Sequence, residues 1–314
     1  MLILRSYKMD KNNKKDFLTL KDYSKSDIEY ILKLSGRIKK DKKKYSKVLE
    51  GKSIAMLFDK HSTRTRLSFE VGISQLGGNP VYLDSRNMHL SRGETYKDTA
   101  KILSRYLDGV VIRTFKHETV ECFAEYGSIP VINGLTDTYH PCQVLADMLT
   151  LKEYGLLNKE LKFTYVGDCN NMTNSLIVGF LKIGIGITIG CPEKYMPSKK
   201  IIEYIEGQKE GSKVNFIFDP AEAVKNADVI YTDVWLSMGD EMNKQKIKEL
   251  EKFQVNGKLL ENAKKDVKIM HCLPAHRGQE ITSEILDCKN SIVLEQAENR
   301  LHSQKGLLVY LFSA

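Results

Sequence analysis

Hydrophobic residues in this chain fall into short, nearly unbroken runs, separated by longer stretches in which apolar positions recur every three or four residues. The first set of runs is SIAMLF (53–58), PVYLD (80–84), GVVIRT (109–114) and IPVING (129–134). A second set is KFTYVG (162–167), ITIGC (187–191), VNFIFD (214–219), VIYTDVW (229–235), VKIMHCL (267–273) and SIVLEQ (291–296). Continuous rather than alternating apolar runs suit strands buried on both faces, as in parallel sheets. Amphipathic stretches such as ETYKDTAKILSRYL (94–107) and NNMTNSLIVGFLKIG (170–184) lie between them and read as helices. Strand–helix alternation of this kind predicts an α/β fold with parallel sheets.

Two sets of strands predict two doubly wound parallel-sheet lobes. The helical segment HPCQVLADMLTLKEYG (140–155) would join them, and the last helical stretch, AENRLHSQKGLLVYLFS (297–313), would pack back on the first lobe. The expected domains are 1–139 with 297–314, and 140–296. A length of 314 residues, with 42% hydrophobic and 28% charged residues, fits a two-domain globular chain. No apolar stretch is long enough to span a bilayer, and the first residues lack the apolar core and cleavage site of a signal peptide, so a cytoplasmic location is expected. The six cysteines are scattered without a CxxC pair, which points to reduced thiols rather than a zinc site or a disulfide framework. The net charge of +8 is concentrated in IKKDKKKYSK (38–47). No aromatic platform interleaves that run, so it reads as a solvated helix end, and no nucleic-acid partner is expected.

The unusual polar residues cluster at the carboxyl ends of the expected strands. Ser62, Thr63, Arg64 and Thr65 follow the first, and Arg113 ends the third. His140 and Gln143 come after the fourth; Asp168, Asn170 and Asn171 follow 162–167. Asp233 lies in the last part of 229–235, with Ser237 and Met238 beyond it, and His271 and Cys272 end 267–273. Open α/β sheets bind ligands at these ends, so an active site between the lobes is expected. Ser62 and Thr63 suit a helix N-cap, where free backbone N–H groups and the helix dipole favour an anion. Arg64 adds a planar fork suited to phosphate or carboxylate. The same residues could also form an ordinary capped helix with surface arginines, and Arg66 suits that role because Glu70 lies four residues on. GKS (51–53) imitates a P-loop, but Ser46 stands where its first Gly belongs and an apolar run follows.

These motifs resemble the aspartate/ornithine carbamoyltransferase family. The resemblance is carried by FDKHSTRTR (58–66), VIRT (111–114), YHPCQ (139–143), GDCNN (167–171), DVWLSMG (233–239), HCLPAHRG (271–278) and AENR (297–300), in the family's order. HCLP and the SMG segment point to its ornithine branch. The resemblance implies carbamoyl transfer from carbamoyl phosphate to the side-chain amine of L-ornithine, giving L-citrulline and phosphate, in arginine metabolism. A different amine acceptor, such as putrescine or an acylated ornithine, is the alternative. It further implies a homotrimer with active sites at subunit contacts, and neither cofactor nor metal.

Carried onto this chain, Ser62, Thr63, Arg64 and Thr65 would hold phosphate, and Arg113 would bridge phosphate and carbonyl oxygen. His140 and Gln143 would hold the carbamoyl end, and Arg300 would complete that site. Asn171, Asp233, Ser237 and Met238 would bind the amino-acid part of ornithine. Cys272 and Leu273 would lie by the reacting groups, Cys272 as a substrate-touching thiol or, alternatively, a nucleophile. His89, where many members carry Gln, would reach the phosphate from a neighbouring subunit. His276 and Arg277 read as loop-stabilising.

Overall fold

The computed structural model of the chain describes residues 14–60, 62–208, 213–236 and 243–312. It divides into two units, one of residues 1–149 with 300–314 and the other of residues 150–299. The first unit carries α1 (Lys25–Lys40), β1 (Ser53–Phe58), α2 (Thr63–Gln75), β2 (Asn79–Asp84), α3 (Tyr96–Tyr106), β3 (Gly109–Arg113), α4 (His117–Tyr126) and β4 (Val131–Leu135). Helix α5 (Pro141–Glu153) runs through the boundary. The second unit carries β5 (Phe163–Val166), α6 (Asn171–Ile183), β6 (Ile187–Gly190), α7 (Lys199–Glu206), β7 (Val214–Ile217), α8 (Pro220–Ala223) and β8 (Val229–Thr232). It continues with α9 (Lys244–Leu250), α10 (Gly257–Leu260), β9 (Lys268–His271) and α11 (Ser283–Leu286), and α12 (Val293–Phe312) closes the chain.

Both sheets are parallel, in the orders β2-β1-β3-β4 and β7-β6-β5-β8-β9. The α/β expectation therefore holds for each unit. Central strands carry the longest apolar runs because helices cover both their faces. In the first unit Ala55, Leu57, Val110, Ile112 and Val131 pack with Phe123 of α4. In the second, Val166, Ile230 and Ile269 pack with Trp235 and Phe253. Among the described residues no helix is long and apolar enough to cross a membrane.

One expected strand is not a strand. In SIVLEQ (291–296), Ser291 makes a single parallel bridge to Ile269, and the Ile292 N–H donates to the Ile269 carbonyl at 3.0 Å. The chain then turns into α12, the Gln296 N–H donating back to the Ile292 carbonyl. Burial explains the difference: Val293, Gln296, Asn299, Arg300 and Ser303 are buried, whereas Leu294 is 74% exposed. That spacing is helical, and a short apolar run by itself does not distinguish the two periods.

The carboxyl-terminal part of α12 belongs to the first unit and packs directly on α1. Gly306 makes this approach possible, since a Cβ there would lie 2.1 Å from Ser35 Oγ and 2.9 Å from the Ile31 carbonyl oxygen and the Ser35 nitrogen. Because two of these neighbours are backbone atoms, the helices would have to separate. Gly306→Ala is therefore expected to destabilise the first unit by about 1–3 kcal/mol, despite the better helix propensity of Ala. Urea denaturation followed by circular dichroism measures it; an unchanged midpoint would refute the close packing.

Candidate active site

In the first sheet, β1 lies between β2 and β3, so the chain winds outward in opposite directions from β1. The carboxyl ends of β1 and β3 mark the point of reversal, where open parallel sheets leave a ligand crevice. Ser62, just beyond β1, is the N-cap of α2: its backbone is extended (φ −160°, ψ 115°), and its Oγ accepts the Thr65 N–H at 3.1 Å. Thr63, Arg64 and Thr65 form the first turn of the helix, Thr63 exposed, Arg64 half-buried and Thr65 buried.

Thr65 is the meeting point of this site. Its Oγ1 accepts from Arg113 Nη1 at 3.3 Å and from Arg300 Nη2 at 3.0 Å. Arg113 is the last residue of β3, and Arg300 comes from α12, some 235 positions away from Thr65. Arg300 Nη1 also donates to Gln143 Oε1 at 2.7 Å, and Gln143 Nε2 in turn donates to the buried carboxylate of Asp147 at 2.9 Å. Both guanidinium groups are buried, with residue exposures of 7% for Arg113 and 3% for Arg300. Two cations held out of water against a helix N-terminus create a strong local preference for an anion. His140 feels the same field. Burial, then the charges of Arg300 and Arg113, push it well below the usual imidazole range, so it stays neutral. The structure thus brings Ser62, Thr65, Arg113, His140, Gln143 and Arg300 into one cationic cluster.

The second sheet repeats the logic. The order β7-β6-β5-β8-β9 reverses between β5 and β8. Asp168, Cys169 and Asn170 follow β5, and Asp233 follows β8, which ends at Thr232 rather than continuing through the apolar run. Asp233 Oδ1 accepts the Val234 N–H and the Cys272 thiol, each at 2.8 Å, and its Oδ2 accepts Asn170 Nδ2 at 2.8 Å. Cys272 follows β9, which ends at His271.

Leu273 has φ +56°, a left-handed conformation that side chains rarely adopt. It is held by His271 Nδ1, which accepts the Leu273 N–H at 2.8 Å; the proton of the neutral ring therefore sits on Nε2, which donates to Glu280 Oε1 at 2.9 Å. Glu280 Oε1 also accepts the His276 N–H at 2.6 Å, and Arg277 makes a two-pronged pair with Asp287 at 2.5 and 2.8 Å. The Arg277 side chain and the His276 backbone N–H thus tie down the loop. Arg66 likewise pairs with Glu70 at 3.1 Å and stacks on Tyr82 with its guanidinium carbon 3.8 Å from the ring centre.

Asn171 opens α6, and its neighbour Asn170 contacts Asp233. His89 sits in a short 3₁₀ turn with its side chain 76% exposed and Nδ1 3.9 Å from Glu94, apart from the Thr65 cluster. Ser237 and Met238 lie outside the described residues. Sequence reasoning missed Asp147, Glu280 and the Asp168–Lys246 ion pair at 2.7 Å, whose partners lie far apart in the chain. Only Asp147, four residues after Gln143 on a helix, carried a local signal. Asp233, His271 and Cys272 also bring ligand-type atoms within 4.8 Å of one another. Both nitrogens of His271 are already engaged, so this group serves the loop and Asp233 rather than forming an open metal centre.

Comparison with known proteins agrees with this geometry. Residues 15–153 match the family model of the aspartate/ornithine carbamoyltransferase carbamoyl-P binding domain, and residues 159–311 match that of the Asp/Orn binding domain. The chain belongs to the aspartate/ornithine carbamoyltransferase family. An ornithine carbamoyltransferase from Oceanobacillus iheyensis is 51% identical over 304 residues, covering 95% of this chain and 94% of that protein. One from Methanocaldococcus jannaschii is 47% identical, covering 94% and 98%. The solved structure of the ornithine carbamoyltransferase from Pyrococcus furiosus superposes with a TM-score of 0.91 at 44% identity, covering 98% of this chain and 99% of that one.

Two predictions test this carbamoyltransferase-family framework. Glu280→Ala leaves the buried His271 Nε2–H without its acceptor and should cost about 1–3 kcal/mol, read by chemical denaturation; an unchanged stability would show that the pair does not hold the loop. His140, held well below the usual imidazole range, and His117, which burial also lowers, take up protons in the folded chain only at lower pH than in the unfolded chain, which does so below pH about 6.5. Stability should thus fall as pH drops from 6.5, with a slope of up to about 1.4 kcal/mol per pH unit for each group. Denaturation series between pH 7.5 and 5 should show the slope reduced in His140→Gln.

Proposed function

We propose that the chain transfers the carbamoyl group of carbamoyl phosphate to the side-chain amine of L-ornithine, giving L-citrulline and phosphate: the activity of an ornithine carbamoyltransferase. The observation that carries the reading is the convergence of Arg113 and Arg300 on Thr65 Oγ1 at the start of α2. Phosphate occupies this N-terminus, receiving the first-turn N–H groups, the hydroxyls of Ser62, Thr63 and Thr65, and the fork of Arg64. Arg113 spans phosphate and carbonyl oxygen. His140 and Gln143 hold the carbamoyl end, with Arg300 behind them.

The chemistry follows from where charge grows. The amine attacks the carbamoyl carbon, negative charge develops on the carbonyl oxygen, and phosphate departs with the bonding pair. Donors fixed in advance toward both oxygen sites lower the barrier without reorganising, which is commonly the largest catalytic contribution. A neutral His140 donates one N–H without adding a third buried cation. The incoming ammonium, with a pKa near ~10.4 in water, loses its proton more readily beside the arginines. Asp233 accepts the α-ammonium of ornithine, and Asn170 and Cys272 hold that carboxylate in place. Asn171, Ser237 and Met238 complete recognition of the amino-acid end, and Leu273 lies by the reacting groups. The protein works as a cytoplasmic homotrimer in which His89 of a neighbouring copy reaches the phosphate, and its exposure leaves it available for that role.

The decisive assay incubates the protein with carbamoyl phosphate and, separately, ornithine, putrescine or aspartate, and measures carbamoylated product and phosphate. Citrulline from ornithine is expected, and its absence would sink the reading. Arg64→Ala should lower kcat/KM by about 10²–10³, the cost of one lost charge-stabilising donor. Arg66→Ala should leave turnover within a few-fold, because its partners are Glu70 and Tyr82. Asp233→Ala should raise the ornithine KM while sparing carbamoyl phosphate binding. Equal losses in the two arginine variants would show that phosphate is not read at Arg64.

A further inference from the structure

Asp147 is a buried carboxylate with no part in the proposed transfer step. It stands four residues after Gln143 on α5, so both side chains leave the helix on one face. Burying a carboxylate costs free energy unless its bonds are used. Asp147 Oδ1 accepts Gln143 Nε2 at 2.9 Å, while Gln143 Oε1 accepts Arg300 Nη1 at 2.7 Å. The two ends of an amide are alike in shape and opposite in hydrogen bonding. A guanidinium only donates and a carboxylate only accepts, so together they admit one sense of the Gln143 side chain. Either bond alone holds one atom. The two together hold the amide plane, and with it the direction of the second lone pair on Oε1. Thr65, Arg113, Gln143, Asp147 and Arg300 all belong to the first unit.

We infer that Asp147 is a positioning residue, acting through Gln143 to select an acyl phosphate that carries an N–H. The inference rests on the proposed reading of this cluster as the carbamoyl phosphate site. Arg113 and Arg300 offer donors alone, and Thr65 Oγ1 already accepts from both. Those donors suit phosphate and carbonyl oxygens, which acetyl phosphate also has. The two molecules differ where one carries an amino group and the other a methyl group of similar size. The amino group needs an acceptor, and the remaining lone pair of Gln143 Oε1 supplies it. A methyl group leaves that lone pair unused, which costs about tenfold in affinity, the worth of one buried hydrogen bond. An amide free to turn brings Nε2 toward the amino group, donor against donor, and the preference is lost.

Isothermal titration calorimetry of the full-length protein with carbamoyl phosphate and with acetyl phosphate measures the selection directly. The unaltered chain should bind carbamoyl phosphate about tenfold more tightly. Asp147→Leu keeps a branched shape but removes the acceptor. Its preference should shrink to about twofold and its carbamoyl phosphate KM rise about tenfold, with the ornithine KM within about twofold of the unaltered value. Asp147→Asn keeps an acceptor oxygen and should retain most of the preference. Equal losses in the two variants would assign the effect to the charge of Asp147 rather than to its bond and overturn the inference, as would an unchanged preference in Asp147→Leu.

If Asp147→Leu does not fold, combining Gln143→Glu with Asp147→Asn reverses the bond between the two positions. The new amide then donates, and the new carboxylate accepts from it and from Arg300. The combination should recover the preference that Gln143→Glu loses by itself, and no recovery would overturn the inference. Failure of the carbamoyltransferase reading looks different: neither acyl phosphate would bind the unaltered chain, and both conclusions would fall. The selection alone fails if citrulline is formed but acetyl phosphate binds as tightly as carbamoyl phosphate.

Discussion

The structure of the first unit depends on two guanidinium groups meeting on one hydroxyl. Arg113 and Arg300 arrive from β3 and α12 at Thr65, on the first turn of α2. Burying such groups is costly unless each is bonded and the field is later balanced by an anion. The neighbours answer that constraint. Gln143 accepts from Arg300 and passes the bond on to the Asp147 carboxylate, while His140 is kept neutral. A cluster arranged in this way is suited to phosphate and poorly suited to a cationic ligand.

The second unit uses the opposite sign at the equivalent place in its sheet. Asp233 is a buried carboxylate bonded by Asn170, Cys272 and a backbone N–H. Its three donors come from the ends of three neighbouring strands, β5, β8 and β9, which explains why the turn geometry after each strand matters. Leu273 in a left-handed conformation and the His271–Glu280 pair are parts of one device, because the His271 nitrogen that bonds Leu273 fixes which nitrogen faces Glu280. Non-glycine residues in such conformations persist where surrounding bonds over-determine them, and they concentrate at functional sites.

Much of this was legible along the chain. Apolar runs marked nine of the strands, and polar residues at their ends marked both clusters, because parallel strands place ligand-binding groups at their carboxyl ends. The division of the arginine-rich motif was also readable: Glu70 four residues after Arg66 suggested a helix-surface pair, and Arg64 was left for an anion. The run 291–296 misled, since a short apolar segment satisfies either period and only the burial of Gln296, Asn299 and Arg300 shows that it is helical. Asn170 and Asn171 stand at the same helix start, and only the spatial position of Asp233 shows that Asn170 bonds it.

The sequence by itself determined the α/β class, the two sets of parallel strands and the residue types available for an anion and an amino acid. It could do so because hydrophobic periodicity, capping and charge are local properties of a chain. Tertiary structure decided which of those groups meet. Arg300 joins Thr65 across 235 positions, and Lys246 joins Asp168 across 78. Such pairings arise from strand order and helix packing, which bring distant segments together at no fixed spacing.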